Sequence, residues 1–242
     1  MLYEYSVVNR AVTLHALKSG AGPSEFAVGV VPGLSETADD WRELLEYLAP
    51  LHTAAITLRG RGRSSAPAAG YSLAHHTSDV AAFVEQIQAE SVLLVAFSRS
   101  VGYALEYATL QSNKLAGLVL LDYAPKHTEL PPTWAERFAE SSWRSRKASS
   151  IVSLPVLQAI AKEADAKDFT PHLSSLLLPT LVVRGGMPGA ALSASGAAEY
   201  TNRLPHCRVA VLDRSSHALW EPNASDLYRE IATFARGVAS EA

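Results

Sequence analysis

The chain has 242 residues, of which 48% are hydrophobic, and a formal net charge of −3. This length suits one α/β domain with a sizeable core better than two equal domains. The small negative charge provides neither a broad basic surface for nucleic acid nor a polybasic membrane anchor, so we expect neither partner. Cys207 is the only cysteine, which excludes an intrachain disulfide framework and a multi-cysteine metal site.

The first residues and the apolar stretches of the sequence bear on the cellular location of the protein. Residues 1–5 lack the basic and apolar regions of a signal peptide. No stretch of the sequence approaches the ~20 apolar residues that a membrane span needs. We therefore expect a cytoplasmic protein.

Strand-like and helix-like segments alternate along the first part of the chain. In order, they are a hairpin of strands at 4–8 and 12–17, a strand at 27–31, a helix at 37–48, a strand at 54–58 and a helix at 72–88 capped by Ser72. Such alternation predicts a mostly parallel sheet with helices on both faces.

The second part of the chain continues the alternation after one interruption. It predicts strands ending at 97, 121, 183 and 212, with helices after 98, at 194–203 and at 225–235. Residues 124–171 break this rhythm with helical periodicity and no convincing strand. We interpret that segment as a helical cap over the carboxyl ends of the strands, inserted into a single domain spanning 1–242; the alternative is an ordinary surface excursion.

The most informative local pattern surrounds Ser98. A buried strand runs directly into Ala96-Phe97-Ser98-Arg99-Ser100, and a helical pattern follows at once. A serine between strand and helix holds a strained backbone, so the residues two before and two after it must be small. Ala96 and Ser100 meet that requirement, and the pattern predicts a nucleophile elbow. The helix N-terminus would favour the negative charge of an oxyanion.

A serine hydroxyl needs a base to take its proton, and His217 is the strongest candidate. It follows the last predicted strand in a loop of small residues before the final helix. The other histidines lack that placement. We expect surface or turn positions for His15, His52, His127, His172 and His206, and solvated or capping roles for His75 and His76.

The acid that orients the histidine is less obvious. In the chain order of an elbow enzyme it lies between Ser98 and the histidine, usually after the strand at 181–183. The loop there, residues 184–191, contains no acid. Asp122, at the end of the preceding strand, is the next position from which a carboxylate could reach His217. Asp213 is held in reserve, although its place in the same loop as His217 constrains it.

The oxyanion needs two amides, and we assign them to the backbone N–H groups of Leu34 and Arg99. Trp134 and Trp143, in the predicted cap, are candidates for a largely apolar substrate pocket or for the cap core. The arginines of the loop 59–64 favour a structural role over phosphate binding.

Together these motifs resemble the α/β-hydrolase superfamily across nearly the whole chain, in particular its small single-domain members with a helical cap. The matches in family order are Val31-Pro32-Gly33-Leu34, Arg59-Gly60-Arg61-Gly62-Arg63-Ser64, the elbow at 96–100, Pro179-Thr180-Leu181-Val182-Val183-Arg184-Gly185 and Ser216-His217. The chain departs from the family pattern at Pro32, at Thr57 and at the missing late acid. The resemblance implies relocation of that acid.

The combined hypothesis is a serine hydrolase that cleaves a small-molecule ester or thioester through Ser98, His217 and Asp122. It needs no cofactor and no metal, and we expect a monomer or homodimer. Lactone opening, carbon–carbon bond hydrolysis, acyl transfer and cofactor-free oxygenation remain open on the same site. So does a ligand-binding receptor of the same fold.

Overall fold

The computed structural model describes residues 1–20, 22–111, 113–131 and 133–240. Its strands, in chain order, are β1 (Leu2–Asn9), β2 (Val12–Ser19), β3 (Ser24–Val31), β4 (His52–Ile56), β5 (Ala89–Phe97), β6 (Leu115–Leu121), β7 (Lys126–His127), β8 (Ser142–Trp143), β9 (Arg146–Lys147), β10 (Lys167–Asp168), β11 (Thr180–Gly185) and β12 (Cys207–Leu212). Its α-helices are α1 (Arg42–Tyr47), α2 (Leu73–Gln86), α3 (Ser100–Leu110), α4 (Trp134–Glu140), α5 (Leu154–Glu163), α6 (Ala194–Arg203) and α7 (Ala224–Ala239).

One eight-stranded sheet organises the molecule, in the order β1-β2-β4-β3-β5-β6-β11-β12. Strand β2 pairs antiparallel with both of its neighbours, and all other neighbouring pairs are parallel. The prediction of a mostly parallel sheet is therefore confirmed. The carboxyl ends of β3, β5, β6, β11 and β12 meet at one edge, where such sheets form their ligand crevice.

Helices cover both faces of the sheet, as the near-continuous apolar strands require. Helices α2, α3 and α6 pack on one face through residues such as Phe83, Tyr103 and Tyr200. Helices α1 and α7 pack on the other through residues such as Leu44 and Ile231. The central strands β3, β5, β6 and β11 are thus largely buried on both sides, whereas the edge strands β1 and β12 are partly exposed.

The helix expected at 37–48 forms as two pieces. A 3-10 turn at Ala38–Trp41 precedes α1. Asp40 explains the start of this turn, because its Oδ2 accepts the backbone N–H of Thr37 at 2.8 Å. Acids in a first turn also complement the helix dipole.

The segment predicted as a cap contains more than helices. Helices α4 and α5 pack on each other around Ala135, Val156 and Leu157. Two short strand pairs, which the sequence pattern did not indicate, accompany them: β7 pairs with β10, and β8 pairs with β9 between the two helices. We call residues 142–147 the cap hairpin. Arg144 and Ser145 form its turn with φ of 48° and 60°, as the type I′ turn of a two-residue hairpin needs at both positions.

Three histidines expected at the surface, in turns or in solvated positions are buried instead. His15, His76 and His127 are 9%, 0% and 3% exposed. His76 stacks on Tyr103, with ring centroids 4.5 Å apart. The expectation failed because it considered only local sequence, whereas each ring is covered by elements distant in the chain.

Burial of His127 predicts a pH dependence of stability. Desolvation lowers the pKa of His127 to about 4, and the charge of Arg99 acts in the same direction. The unfolded chain takes up this proton near pH 6.5, whereas the folded chain does not until about pH 4. The contribution of neutral His127 to the free energy of unfolding is therefore complete above pH 6.5. It is lost as the pH falls towards 4, by about 3 kcal/mol in total.

Urea unfolding at pH 7.5 and pH 4.5 checks this prediction. Between these two values the native protein is expected to lose about 2 kcal/mol more than His127→Gln, which has no titrating ring. His172 is exposed, so His172→Gln is the control variant. It is expected to lose as much free energy of unfolding between the two pH values as the native protein does. Equal losses for the native protein and His127→Gln would contradict the assignment.

The arginine-rich loop after β4 is built into the fold. Arg59 forms a buried ion pair with Asp79, with Nη2 and Oδ1 2.7 Å apart. Arg61 is 1% exposed and donates to the carbonyl of Leu34 through Nε. Arg63 pairs with Glu4 and Asp39 at the surface. These contacts agree with the structural role expected for the loop.

Candidate active site

The turn between β5 and α3 presents Ser98 at the carboxyl edge of the sheet. Ser98 has a φ of 56°, a strained value for a non-glycine residue. Its N–H donates to the carbonyl of Leu121 at 2.9 Å, which ties the turn to β6. Ser100, a position where glycine is usual, donates its hydroxyl to the carbonyl of Pro32 at 2.6 Å. The turn is thereby anchored to the ends of both neighbouring strands.

His217 reaches this serine from the loop after β12. Its Nε2 lies 2.9 Å from Ser98 Oγ, and its Nδ1 lies 2.8 Å from Asp122 Oδ2. A carboxylate only accepts hydrogen bonds, so Nδ1 carries the proton and Nε2 is the acceptor that faces the hydroxyl. The three side chains form the relay that a serine nucleophile needs.

Asp122 provides the carboxylate partner of His217 that the acid-free loop 184–191 lacks. It follows β6, which is the neighbour of β11 in the sheet, so its carboxylate lies beside the loop 184–191. The backbone N–H groups of Gly185 and Leu192 donate to Oδ1, and that of Ala191 donates to Oδ2. Three amides and the imidazole thus hold a carboxylate that is 0% exposed.

Asp213, the reserve candidate, lies elsewhere. It is exposed, and the imidazole's carboxylate partner is Asp122. The loop that carries both Asp213 and His217 packs against Gly185, where a Cβ would come within 2.7 Å of the carbonyl oxygen of Ser215. Glycine at this position lets the histidine loop approach the end of β11 closely.

The turn after β3 lies beside the nucleophile. We call residues 32–35 the oxyanion turn, after the role predicted for the Leu34 N–H. Among the described residues, the N–H groups of Leu34 and Arg99 have no acceptor, whereas the N–H of Gly33 donates to Glu36 Oε2 at 2.9 Å. The Arg99 side chain is 5% exposed, and its Nη2 donates to the carbonyl of Thr128.

Aromatic side chains enclose the imidazole. The ring of His217 stacks on Phe97 with centroids 4.9 Å apart, and Trp143 lies 5.5 Å away. Trp220 packs edge-on against both Phe97 and Trp143. This packing restricts the orientation of His217, which complements the hydrogen bond to Asp122.

A pocket of about 310 Å³ opens above Ser98 and His217. Its walls include Leu34, Phe97, Phe138 and Trp143. Such a volume is at the small end of ligand pockets, and its apolar walls with a few polar groups are typical of small-molecule sites. Among the described residues, no cluster of three or more His, Cys, Asp or Glu side chains forms a metal site.

The two candidate pocket tryptophans have different places. Trp143 lines the pocket, whereas Trp134 stacks on Phe138 in the cap core with centroids 4.7 Å apart and is not among the wall residues. Sequence reasoning missed Phe138, Trp220 and the buried Glu36. No motif marks them, because each acquires its role only through contacts with distant segments.

Comparison with known proteins agrees with this architecture. A family model described as alpha/beta hydrolase fold matches residues 27–146, a region that includes the oxyanion turn, the elbow and Asp122. The chain belongs to the α/β-hydrolase superfamily. The superfamily assignment also agrees with the strand order and with the helices on both faces of the sheet.

Solved structures of this fold superpose on nearly the whole chain. A putative aryl esterase from Burkholderia cenocepacia has a TM-score of 0.80 at 19% identity, covering 98% of this chain and 100% of that one. An enol-lactonase from Burkholderia xenovorans LB400 has a TM-score of 0.79 at 15% identity, covering 96% of this chain and 100% of that one. E-2-(acetamidomethylene)succinate hydrolase has a TM-score of 0.78 at 19% identity, covering 98% of this chain and 100% of that one. At these identities the similarity establishes the fold alone.

No helix within the described ranges combines the length and hydropathy that crossing a lipid bilayer requires.

Proposed function

We propose that this α/β-hydrolase is a serine esterase that cleaves a small carboxylic ester or thioester. The observation that carries the proposal is the continuous relay from Ser98 Oγ through His217 to Asp122, with distances of 2.9 and 2.8 Å. A relay of this kind activates a hydroxyl for attack on an acyl carbon. The apolar pocket above it supports an uncharged acyl or alcohol group next to the reacting carbonyl.

The reaction begins when Ser98 Oγ attacks the carbonyl carbon and His217 Nε2 takes the hydroxyl proton. The tetrahedral oxyanion receives hydrogen bonds from the N–H groups of Leu34 and Arg99. Cleavage of the bond to the alcohol or thiol follows, and Nε2 returns the proton to the leaving group. The acyl group now remains on Ser98, and Asp122 has stabilised the transient imidazolium.

Water then completes the cycle. It attacks the acyl carbon while Nε2 takes one of its protons, and collapse of the second tetrahedral intermediate breaks the bond to Ser98 Oγ. The proton on Nε2 returns to Ser98, and a carboxylic acid leaves. The same proposal includes a small-molecule substrate, no nucleic-acid or membrane partner, a monomer or homodimer, and a cytoplasmic location.

A fluorophosphonate probe tests the proposal directly. We expect one equivalent of probe on Ser98, loss of labelling in Ser98→Ala and strongly slowed labelling in His217→Ala, because the probe needs an activated hydroxyl. His172→Ala, at an exposed site, is the matched control and is expected to label at the native rate.

Turnover on p-nitrophenyl acetate, butyrate and octanoate and on an acetyl thioester then identifies the preferred acyl group. The 310 Å³ pocket predicts a preference for the short esters. A folded native protein that reacts with neither the probe nor any substrate of the panel would contradict the esterase proposal and favour a receptor that uses the same pocket.

A further inference from the structure

Glu36 is a buried carboxylate between the oxyanion turn and the cap hairpin. Its side chain is 0% exposed, although Glu36 directly follows the oxyanion turn, which borders the pocket. Burial of a charged group is costly unless hydrogen bonds and an opposite charge compensate it. The contacts of Glu36 therefore identify what the fold gains from this position.

The two carboxylate oxygens contact different parts of the molecule. Oε2 accepts from the Gly33 N–H of the oxyanion turn at 2.9 Å and from Trp41 Nε1–H in the core at 3.0 Å. Oε1 accepts from Trp143 Nε1–H at 3.0 Å and from Arg144 Nε–H at 2.7 Å, both in the cap hairpin. A carboxylate has about four acceptor sites, so this one is fully used.

Both sides of this contact border the reaction centre. Gly33 directly precedes Leu34, whose N–H is a proposed oxyanion donor. Trp143 forms a wall of the pocket and packs on Phe97 and His217. A displacement of either side by about 1 Å would misplace a group next to the reacting carbonyl.

We propose that Glu36 is a positioning residue that couples the oxyanion turn to the cap hairpin, so that the oxyanion hole and the Trp143 wall form together. For its effect on catalysis the inference rests on the proposed esterase function. The coupling itself is a property of the fold.

Charge makes the coupling reciprocal. Arg144 is the cation that neutralises Glu36, and its guanidinium lies 3.4 Å from the centroid of the Trp220 ring and 5.6 Å from that of Trp41. If the hairpin moved away, Glu36 would remain buried without its cation, so an ordered hairpin stabilises an ordered turn and the reverse.

A second ion pair allows the coupling to be separated from simple anchoring. Arg146 of the hairpin forms two hydrogen bonds with Asp40, through Nη1 to Oδ1 at 2.8 Å and through Nη2 to Oδ2. Asp40 accepts its other hydrogen bonds within the described residues from the N–H and hydroxyl of Thr37, outside the oxyanion turn. Its removal should loosen the hairpin without removing the acceptor of the Gly33 N–H.

The first experiment follows the Gly33 amide and the tryptophan indole N–H groups by NMR. In Glu36→Gln the side-chain NH₂ must face one pair of donors, so we expect at least tenfold faster exchange of the Gly33 amide and shifted resonances of Trp41 and Trp143 together. In the control Glu163→Gln, which removes an acceptor of the Gly70 and Tyr71 amides, neither is expected to change.

Arg144→Gln is the decisive variant, because Arg144 donates to Glu36 Oε1, whereas the Gly33 amide donates to Oε2. The proposal predicts faster exchange of Gly33 in Arg144→Gln as well, and this variant replaces Glu36→Gln if that protein does not fold. Native Gly33 exchange in Arg144→Gln would overturn the coupling, and so would a change in Glu36→Gln confined to one side. Asp40→Asn is expected to leave the Trp41 indole unshifted.

Kinetics then tests the catalytic consequence. We expect kcat on p-nitrophenyl acetate to fall about 10- to 100-fold in Glu36→Gln and to stay native in Glu163→Gln. A native kcat in Glu36→Gln would overturn the positioning role. The NMR measurements need no turnover, so a protein that hydrolyses no ester would contradict the proposed function while the coupling is still judged on Gly33 and Trp143.

Discussion

Replacing Asp122 by asparagine is expected to lower kcat about 10⁴-fold while the protein stays folded. An asparagine of the same shape can turn its NH₂ group towards His217 Nδ1. The imidazole would then accept at Nδ1 and carry its proton on Nε2, where it cannot take the proton of Ser98. Steady-state rates on the best ester of the panel, with circular dichroism as a check of folding, measure the effect.

Asp213→Asn is the matched control for this prediction. Asp213 is exposed and lies four residues before His217, so the same chemical change at this site is expected to alter kcat less than twofold. A native rate in Asp122→Asn would show that another group orients the imidazole. A large loss in Asp213→Asn would transfer the role to the reserve candidate.

Replacing Asp79 by asparagine is expected to reduce the free energy of unfolding by about 3–5 kcal/mol. Asp79 is 0% exposed and accepts from Arg59 Nε and Nη2 at 2.7 Å each, and from Asn9 Nδ2 at 2.8 Å. Asparagine leaves the Arg59 guanidinium buried without a counter-charge. Since the total free energy of unfolding of a domain of this kind is about 5–15 kcal/mol, urea unfolding will detect the loss easily.

Two further variants sharpen this prediction. Asp39→Asn removes the partner of Arg63 and Arg42 at the surface, where the side chain is 43% exposed, and is expected to cost less than about 1 kcal/mol. The double variant Arg59→Met with Asp79→Leu removes both buried charges and is expected to recover most of the loss. Equal effects of Asp79→Asn and Asp39→Asn would contradict the argument.

The sheet and its flanking helices could be predicted because their signals are local. Apolar runs such as 92–95 and 118–121 alternate with helical periodicity, and that alternation permits few architectures. The geometry at Ser98 could be anticipated for the same reason, since a strand, a small-residue turn and a helix follow each other directly. The approach of His217 to Ser98 was predicted from its position after the last strand.

The acid illustrates the boundary of such reasoning. Sequence order allowed Asp122 or Asp213, and the constraint on Asp213 in the loop of His217 favoured Asp122. The contact of Asp122 with His217 follows from the neighbouring positions of β6 and β11 in the sheet, which bring the end of β6 next to the acid-free loop. Sheet order is a property of the whole fold, so the short pattern around Asp122 does not contain it.

The buried polar groups lie beyond that boundary. Glu36, His76 and His127 appear in the sequence as ordinary polar residues of loops and helix ends, yet each is buried among partners distant in the chain. Local sequence signals predicted the parallel sheet from apolar periodicity, the elbow from small residues after a strand, and His217 from its place after the last strand. Tertiary packing alone decided which carboxylate meets His217, which polar groups are covered, and how the cap hairpin contacts the oxyanion turn, because each depends on pairing between segments far apart in sequence.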